Sequence, residues 1–314
     1  MASAADPSGG APSVGRIFVT GGTGFVGGNV RRALAGRPLR LLVRDTARHA
    51  ALASPDVELV EGDVTRSETL RGAMDGCGAV VHLVAIIAEE GGATFDGVIR
   101  QGTVNVVDEA KRAGVGRFLH MGAMGTLHDP RYGYFEAKWQ AEQAVKGSGI
   151  PWTIFRPSII FGPGDGFINV LAGLVKVAPV IPVVGDGQSK FQPIAVDEVA
   201  RAFARALDDS STVGKTFELG GGKVYTYEQL LDAIAAKLGK KKLKVHIPVG
   251  LMMPVVKLSA PLPKPLRPPV TEEQLKMLAI DNASEQSATA TLIGRPPLKL
   301  EDGLDYILAG AQNR

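Results

Sequence analysis

At 314 residues the chain is long for one compact core, and its length suggests one large or two modest domains. A hydrophobic fraction of 45% with 21% charged residues is ordinary for a globular protein, and a net charge of +3 is too small to argue for nucleic acid as a partner. One cysteine, Cys77, excludes an internal disulfide and a thiolate-rich metal site, and the five histidines show no pair at ligand spacing, so no metal is expected.

Residues 1–14 are small and polar, without a basic start or an apolar core, and read as a disordered tail rather than a signal peptide. No run of about 18 apolar residues offers a membrane-crossing helix, and a reducing, cytoplasmic compartment is expected.

The short apolar run Ile17-Phe18-Val19 has the length and β-branched content of a buried strand. It stops at Gly21, Gly22, Gly24, Gly27 and Gly28. Val26, Val30, Ala33 and Leu34 then recur at helical spacing, and Leu39 to Val43 forms a second apolar run. Strand, glycine-rich turn, helix and strand in that order form a βαβ unit with a dinucleotide-binding turn. The first glycine must turn the chain sharply, the next lets the backbone approach a pyrophosphate, and Gly27 lets the helix pack on the strand. Free N–H groups and the dipole at the helix start favour the phosphate charge. Two registers fit, Gly22-x-Gly24-x-x-Gly27 and Gly21-x-x-Gly24-x-x-Gly27.

Strand-like and helix-like pieces then alternate. Val57 to Val60 reads as a strand ending in Glu61-Gly62-Asp63-Val64, Ser67 to Met74 as a helix and Ala79 to Val84 as a buried strand. A longer helix is expected from about Thr94 to Ala113, then a strand at Arg117 to Met121, a helix at Tyr134 to Lys146 and a strand at Trp152 to Phe155. Such alternation means a parallel sheet covered by helices on both faces, a Rossmann-type doubly wound α/β fold over residues 15–156, with ligands at the carboxyl ends of the strands.

Beyond Arg156 the alternation fades into Gly- and Pro-rich loops, and residues 157–314 read as a smaller mixed domain closing over the nucleotide, with some segments returning to the sheet. Asp197 is placed to start a helix to Leu207 by accepting free N–H groups, a structural role. Thr226-x-x-Gln229 and Thr271-x-x-Gln274 are capping boxes, the second before a helix at Leu275 to Ile280. Lys240, Lys241, Lys242 and Lys244 precede the apolar stretch Val249 to Ala260 and a proline-dense segment, Pro261 to Pro269. Over 240–270 this pattern suits either an anionic membrane surface or protein-complex contact at the inner membrane face, or plainly a solvated turn, a core helix and an edge loop.

Tyr134 and Lys138 stand at i, i+4 and share a helix face. An ammonium beside a tyrosine stabilises the phenolate, so a lowered pKa is expected for Tyr134 as acid/base at a carbonyl or hydroxyl group. Lys138 would also hydrogen-bond the nicotinamide ribose.

The chain resembles short-chain dehydrogenases/reductases of the extended or atypical type, including relatives of the nucleotide-binding accessory subunit of respiratory complex I and the epimerase/dehydratase family. The resemblance rests on VTGGTGFVGG (19–28), LLVRD (41–45), EGDV (61–64), VHLVA (81–85), RFLHMGAMG (117–125), Tyr134/Lys138, FRPSIIFGPGD (155–165) and QPIAVDEVA (192–200). It implies that Gly21, Thr23, Gly24, Phe25 and Val26 surround the pyrophosphate and that Asp63 and Val64 border the adenine. It likewise implies that Leu83, Val84 and Ala85 line the central crevice and that Pro157, Ser158 and Ile159 lie beside the nicotinamide.

An NAD site wants a carboxylate at the end of the second strand; Arg44 stands there instead, and a guanidinium suits a 2′-phosphate. NADP(H) is therefore favoured over NAD(H), although a shift of one residue to Asp45 restores the NAD reading. Active relatives usually carry a serine or threonine after the fifth strand, where this chain has Gly122 and Ala123, with Thr126 as a substitute only if the loop folds back. Three functions follow: an oxidoreductase acting on a small or lipid-like carbonyl or hydroxyl substrate, a non-catalytic nucleotide-binding accessory protein, and a sugar-nucleotide epimerase or dehydratase.

Overall fold

The computed structural model describes residues 15–259 and 271–309. The tail at 1–14 and the segment Pro261 to Pro269 lie outside the described residues.

The first half runs β1 (Arg16–Thr20), α1 (Phe25–Ala33), β2 (Leu39–Val43), β3 (Val57–Glu61), β4 (Cys77–His82), α2 (Gly102–Arg112), β5 (Arg117–Met121), α3 (Gly133–Lys146) and β6 (Trp152–Pro157). It continues with β7 (Ile160–Phe161), α4 (Ile168–Val177), β8 (Val180–Val184), β9 (Lys190–Phe191), β10 (Ile194–Ala195), α5 (Val196–Asp208) and β11 (Lys215–Leu219). The last part comprises β12 (Tyr225–Thr226), α6 (Tyr227–Lys237), β13 (Leu243–Ile247), α7 (Val249–Ser259), α8 (Glu272–Leu278), α9 (Thr289–Ile293) and α10 (Tyr306–Ala309).

Seven parallel strands form the central sheet in the order β11-β6-β5-β4-β1-β2-β3. The fold is the Rossmann-type α/β sandwich. Because the chain winds outward from β1 in one direction and from β4 in the other, a crevice opens between the carboxyl ends of these two strands. Alternate residues face opposite sides of the sheet. Ile17, Val19, Leu41, Val81 and Phe155 pack under α1 and α5, whereas Phe18, Val80, Phe118 and Ile154 pack under α2 and α3. A separate apolar cluster joins α4, α6, β8 and β9 around Ile168, Ile181, Phe191 and Leu230.

Several expected boundaries shift. Ser67 to Met74 is not a helix but a single 3₁₀ turn, Ser67–Thr69, followed by turns. Gly72 sits at φ +81°, in the left-handed region that a right-handed helix cannot contain. β4 starts earlier and ends at His82, leaving Leu83 and Val84 in the loop. The helix before β5 opens with a π-helical turn, Asp96–Gln101. Ala195, not Asp197, is the N-cap of α5, and Asp197 lies in the first turn without a side-chain capping bond. Both capping boxes are present, with α8 spanning Glu272–Leu278 instead of Leu275 to Ile280.

Candidate active site

The crevice is built around the turn leaving β1. Gly21 has φ +71°, and a Cβ there would lie 3.1 Å from the Leu83 carbonyl carbon. A Cβ at Gly27 would lie 2.1 Å from the Gly21 carbonyl oxygen, so the helix start can seat against the turn only without a side chain. The register is therefore Gly21-x-x-Gly24-x-x-Gly27. Gly24 is the N-cap of α1 in extended geometry, with no side-chain capping bond and no acidic residue in the first turn. The first amides of α1 are left for an anion, and the glycine pattern leaves backbone room for it, so the turn fits the pyrophosphate of a nicotinamide dinucleotide. Thr23 and Gly24 are exposed at the mouth, and Phe25 and Val26 are half-buried.

Arg44 directly follows β2 and is exposed. The Asp45 carboxylate accepts the Arg48 amide at 2.9 Å, closing a local turn. Asp63, after β3, accepts the Thr65 amide at 2.9 Å and the Thr65 hydroxyl at 2.8 Å. Partial burial alone would raise its carboxyl, but these bonds, with Arg44 and Arg66 nearby, hold it below the usual range. Val64 is buried, and its carbonyl accepts from Asn105 of α2 at 2.8 Å. Leu83 is buried, while Val84 and Ala85 are half-buried after β4.

Tyr134 and Lys138 lie one turn apart on α3, with the Lys138 Nζ 6.0 Å from the centre of the Tyr134 ring. Lys138 is buried and donates to the Met121 carbonyl at 2.8 Å, at the end of β5. Burial lowers its ammonium to about 8. Tyr134 packs edge-on to Phe95 and Phe135, and among the described residues its hydroxyl makes no hydrogen bond. Burial pushes its hydroxyl up to about 12, reversing the expected depression. The Tyr134 amide donates to Glu273 of α8 at 2.9 Å. Phe95, Gly133 and Ala137 line a cleft of about 680 Å³ closed on its other side by Thr271, Glu273 and Lys276.

The two glycine/alanine positions differ in surroundings. A Cβ at Gly122 would lie 2.6 Å from Oε1 of Glu142, which accepts Arg156 Nε at 2.8 Å. Gly122 thus faces a buried ion pair. Ala123 packs against the cluster that holds Tyr134. The loop does fold back at Thr126, but the Thr126 hydroxyl donates to the Ala123 carbonyl at 2.6 Å and is occupied there.

Several site residues were not legible in the sequence. His82 and His120, on neighbouring strands, stack with ring centres 5.4 Å apart under Lys138. The Thr103 hydroxyl donates to Ile99 and so accepts from His82 Nε2 at 3.0 Å, leaving His82 Nδ1 to accept from Thr20 at 2.6 Å. Burial holds His82 neutral, down to about 3, and lowers His120 well below the usual range. Pro157 ends β6. Ser158 donates to Asn282 Oδ1 at 2.6 Å, and the Ile159 amide donates to the same oxygen at 2.9 Å. Asn282 also donates to the Met124 carbonyl, tying the exits of β5 and β6 together. A Cβ on Gly162 would stand 3.7 Å from the Phe25 ring, and one on Gly164 4.0 Å from it.

A family profile described as NAD(P)H-binding matches residues 21–210, from the glycine turn to the end of α5. The chain belongs to that family. It is 29% identical to NADH dehydrogenase [ubiquinone] 1 alpha subcomplex subunit 9, mitochondrial, of Arabidopsis thaliana, over 96% of this chain and 76% of the relative. It is also 29% identical to a 3-beta-hydroxysteroid dehydrogenase of Mycolicibacterium neoaurum, over 74% of this chain and 73% of that one. The NADPH-dependent quinone oxidoreductase of Escherichia coli, solved with NADPH, shares the fold at a TM-score of 0.73 and 22% identity, covering 93% of this chain and 99% of that one. This NAD(P)H-binding chain thus resembles dehydrogenases and a respiratory-complex subunit alike. No helix among the described residues is long and apolar enough to cross a membrane.

Proposed function

We propose that the chain is an NADP(H)-dependent oxidoreductase that reduces a carbonyl group of a lipid-like substrate, and oxidises the matching hydroxyl in reverse. The pairing of Tyr134 with Lys138 at the carboxyl end of β5, in the sheet whose β1 leads into the phosphate-ready turn, carries this reading. When bound, the nicotinamide supplies or takes up the hydride. Tyr134, kept protonated by burial, donates its hydroxyl proton to the substrate oxygen, and the Lys138 ammonium stabilises the phenolate left behind. Arg44 takes the 2′-phosphate, since the Asp45 carboxylate is engaged by the Arg48 amide. Gly21, Thr23, Gly24, Phe25 and Val26 hold the pyrophosphate, Asp63 and Val64 the adenine, Leu83, Val84 and Ala85 the middle of the nucleotide, and Pro157, Ser158 and Ile159 the nicotinamide. In this scheme residues 15–156 bind nucleotide and residues 157–314 close on the substrate. Ala88, Phe95 and Ala137 give the cleft one apolar side for the substrate, while Glu89, Asp96, Glu136 and Glu273 make the rest of its rim acidic.

A second reading, a nucleotide-holding accessory protein, is favoured by one observation: Ala123 beside Tyr134 supplies no hydroxyl for the substrate oxygen. Tyr134→Phe separates the two. The oxidoreductase reading expects loss of NADPH-dependent carbonyl turnover, with NADPH affinity within a few-fold of wild type. Unchanged turnover would remove Tyr134 from the chemistry.

A further inference from the structure

β13 and β8 pair in a two-stranded parallel ladder, Leu243 opposite Val180 and Val245 opposite Pro182. The inner side is ordinary: Ile181 and Val183 are buried, and Lys244 reaches back to Asp232 at 2.9 Å. The outer side is not. Leu243 is 74% exposed and Val245 53%, and by strand alternation the exposed Lys241 prolongs the same face. The chain passes directly into α7, where Leu251, Val255 and Leu258 recur at i, i+4, i+7. That spacing is the stripe a helix normally turns to a core. Here all three are exposed, Leu251 by 66% and Leu258 by 79%, while Val256 and Ser259 form the buried side.

The charge carried by this stretch itself has one sign, and the nearby carboxylates of Glu228, Asp232 and Glu272 come from neighbouring helices. From Gly239 to Ser259 the sequence carries five lysines and no carboxylate, although the whole chain has a net charge of only +3. Lys244 and Lys257 are paired with acids, but Lys240 and Lys242 donate only to the neutral carbonyls of Lys176 and Ala178. Protein interfaces favour aromatic side chains and deplete lysine. This stretch contains no Phe, Tyr or Trp. Aliphatic side chains bordered by lysines are what an anionic bilayer surface selects.

We propose that α7 and the outer face of the β8–β13 ladder dock the protein on an anionic lipid bilayer, with Leu251, Val255 and Leu258 entering the headgroup boundary. This does not depend on the hydride chemistry. α7 packs on α8, whose Glu273 holds the first turn of α3 and lines the cleft beside Tyr134, so docking would bring the cleft near the lipid.

The test is co-sedimentation of the full-length protein with phosphatidylcholine vesicles, with and without phosphatidylglycerol. The expected result is partition onto the phosphatidylglycerol vesicles that weakens with salt. Each lysine removed should cost about fivefold, so the double change Lys240→Gln, Lys241→Gln should weaken partition about 25-fold. Leu251→Asp with Leu258→Asp should abolish it, while melting temperature and NADPH affinity stay at wild-type values. Equal partition onto both vesicle types, or no loss in the aspartate variant, would overturn the proposal. So would a dimer in sedimentation velocity, lost in the aspartate variant, without vesicle binding; the face would then belong to a second copy.

Discussion

Introducing a single hydroxyl after β5, at Ala123 or at Gly122, separates the two sides of the strand. At Ala123 the Cβ already exists and packs with the cluster around Tyr134, so Ala123→Ser adds one oxygen on the side of the proton donor. One such donor at a developing oxyanion is worth about 3–4 kcal/mol, or 10²–10³ in rate. Thr126 does not supply it, because its hydroxyl is given to the Ala123 carbonyl. At Gly122 the outcome inverts. A Cβ there sits 2.6 Å from Glu142 Oε1, and displacing that carboxylate breaks its pair with Arg156. Breaking a buried pair costs about 3–5 kcal/mol. In a chain of this size that is a loss of about 10 °C in melting temperature. The assay is NADPH oxidation with a panel of lipid-like carbonyl compounds, alongside thermal unfolding. Ala123→Ser should turn over faster than wild type at equal stability, and Gly122→Ser should melt early with no gain in rate. A rate gain in Gly122→Ser, or none in Ala123→Ser, would refute this assignment of the two positions.

Arg44→Ala should weaken NADPH by about 10–100-fold, the worth of charge-assisted bonds to a phosphate, while NADH changes less than a few-fold; equal losses by fluorescence titration would mean that Arg44 does not meet the 2′-phosphate. His82 is neutral in the fold down to about pH 3 but takes up a proton near 6.5 once unfolded. The folded pKa lies below the unfolded one, so the unfolded state binds more protons between pH 6.5 and 3, and stability falls as pH falls through that window. His82→Gln should flatten the slope of stability against pH by about 1.4 kcal/mol per unit in that range. An unchanged slope in urea titrations at several pH values would contradict the neutral assignment.

The nucleotide half of the fold was largely legible because local signals and tertiary demands agree there. Ile17 to Val19 is apolar because the strand is covered on both faces, and Gly27 is glycine because the turn touches the helix. Arg117–Met121 was placed to the residue. Ser67 to Met74 misled because its spacing is helical while Gly72 needs a left-handed conformation, which spacing does not encode. At the candidate site the sequence put Tyr134 and Lys138 on one helix face but carried no sign of their electrostatics. The i, i+4 spacing brings Lys138 beside Tyr134, yet it cannot reveal that one ammonium N–H goes to the Met121 carbonyl or that burial raises the phenol. Asn282 could not be found from sequence at all, because its partner Ser158 lies 124 positions away. The His82–His120 stack likewise exists only through the register of β4 and β5.

The most direct test of the central claim is the rate at which NADPH leaves the purified protein, followed by stopped-flow displacement of nicotinamide fluorescence. An oxidoreductase that exchanges its nucleotide every cycle predicts release within seconds. Release over hours would contradict that account and mark the nucleotide as a built-in part of an accessory protein.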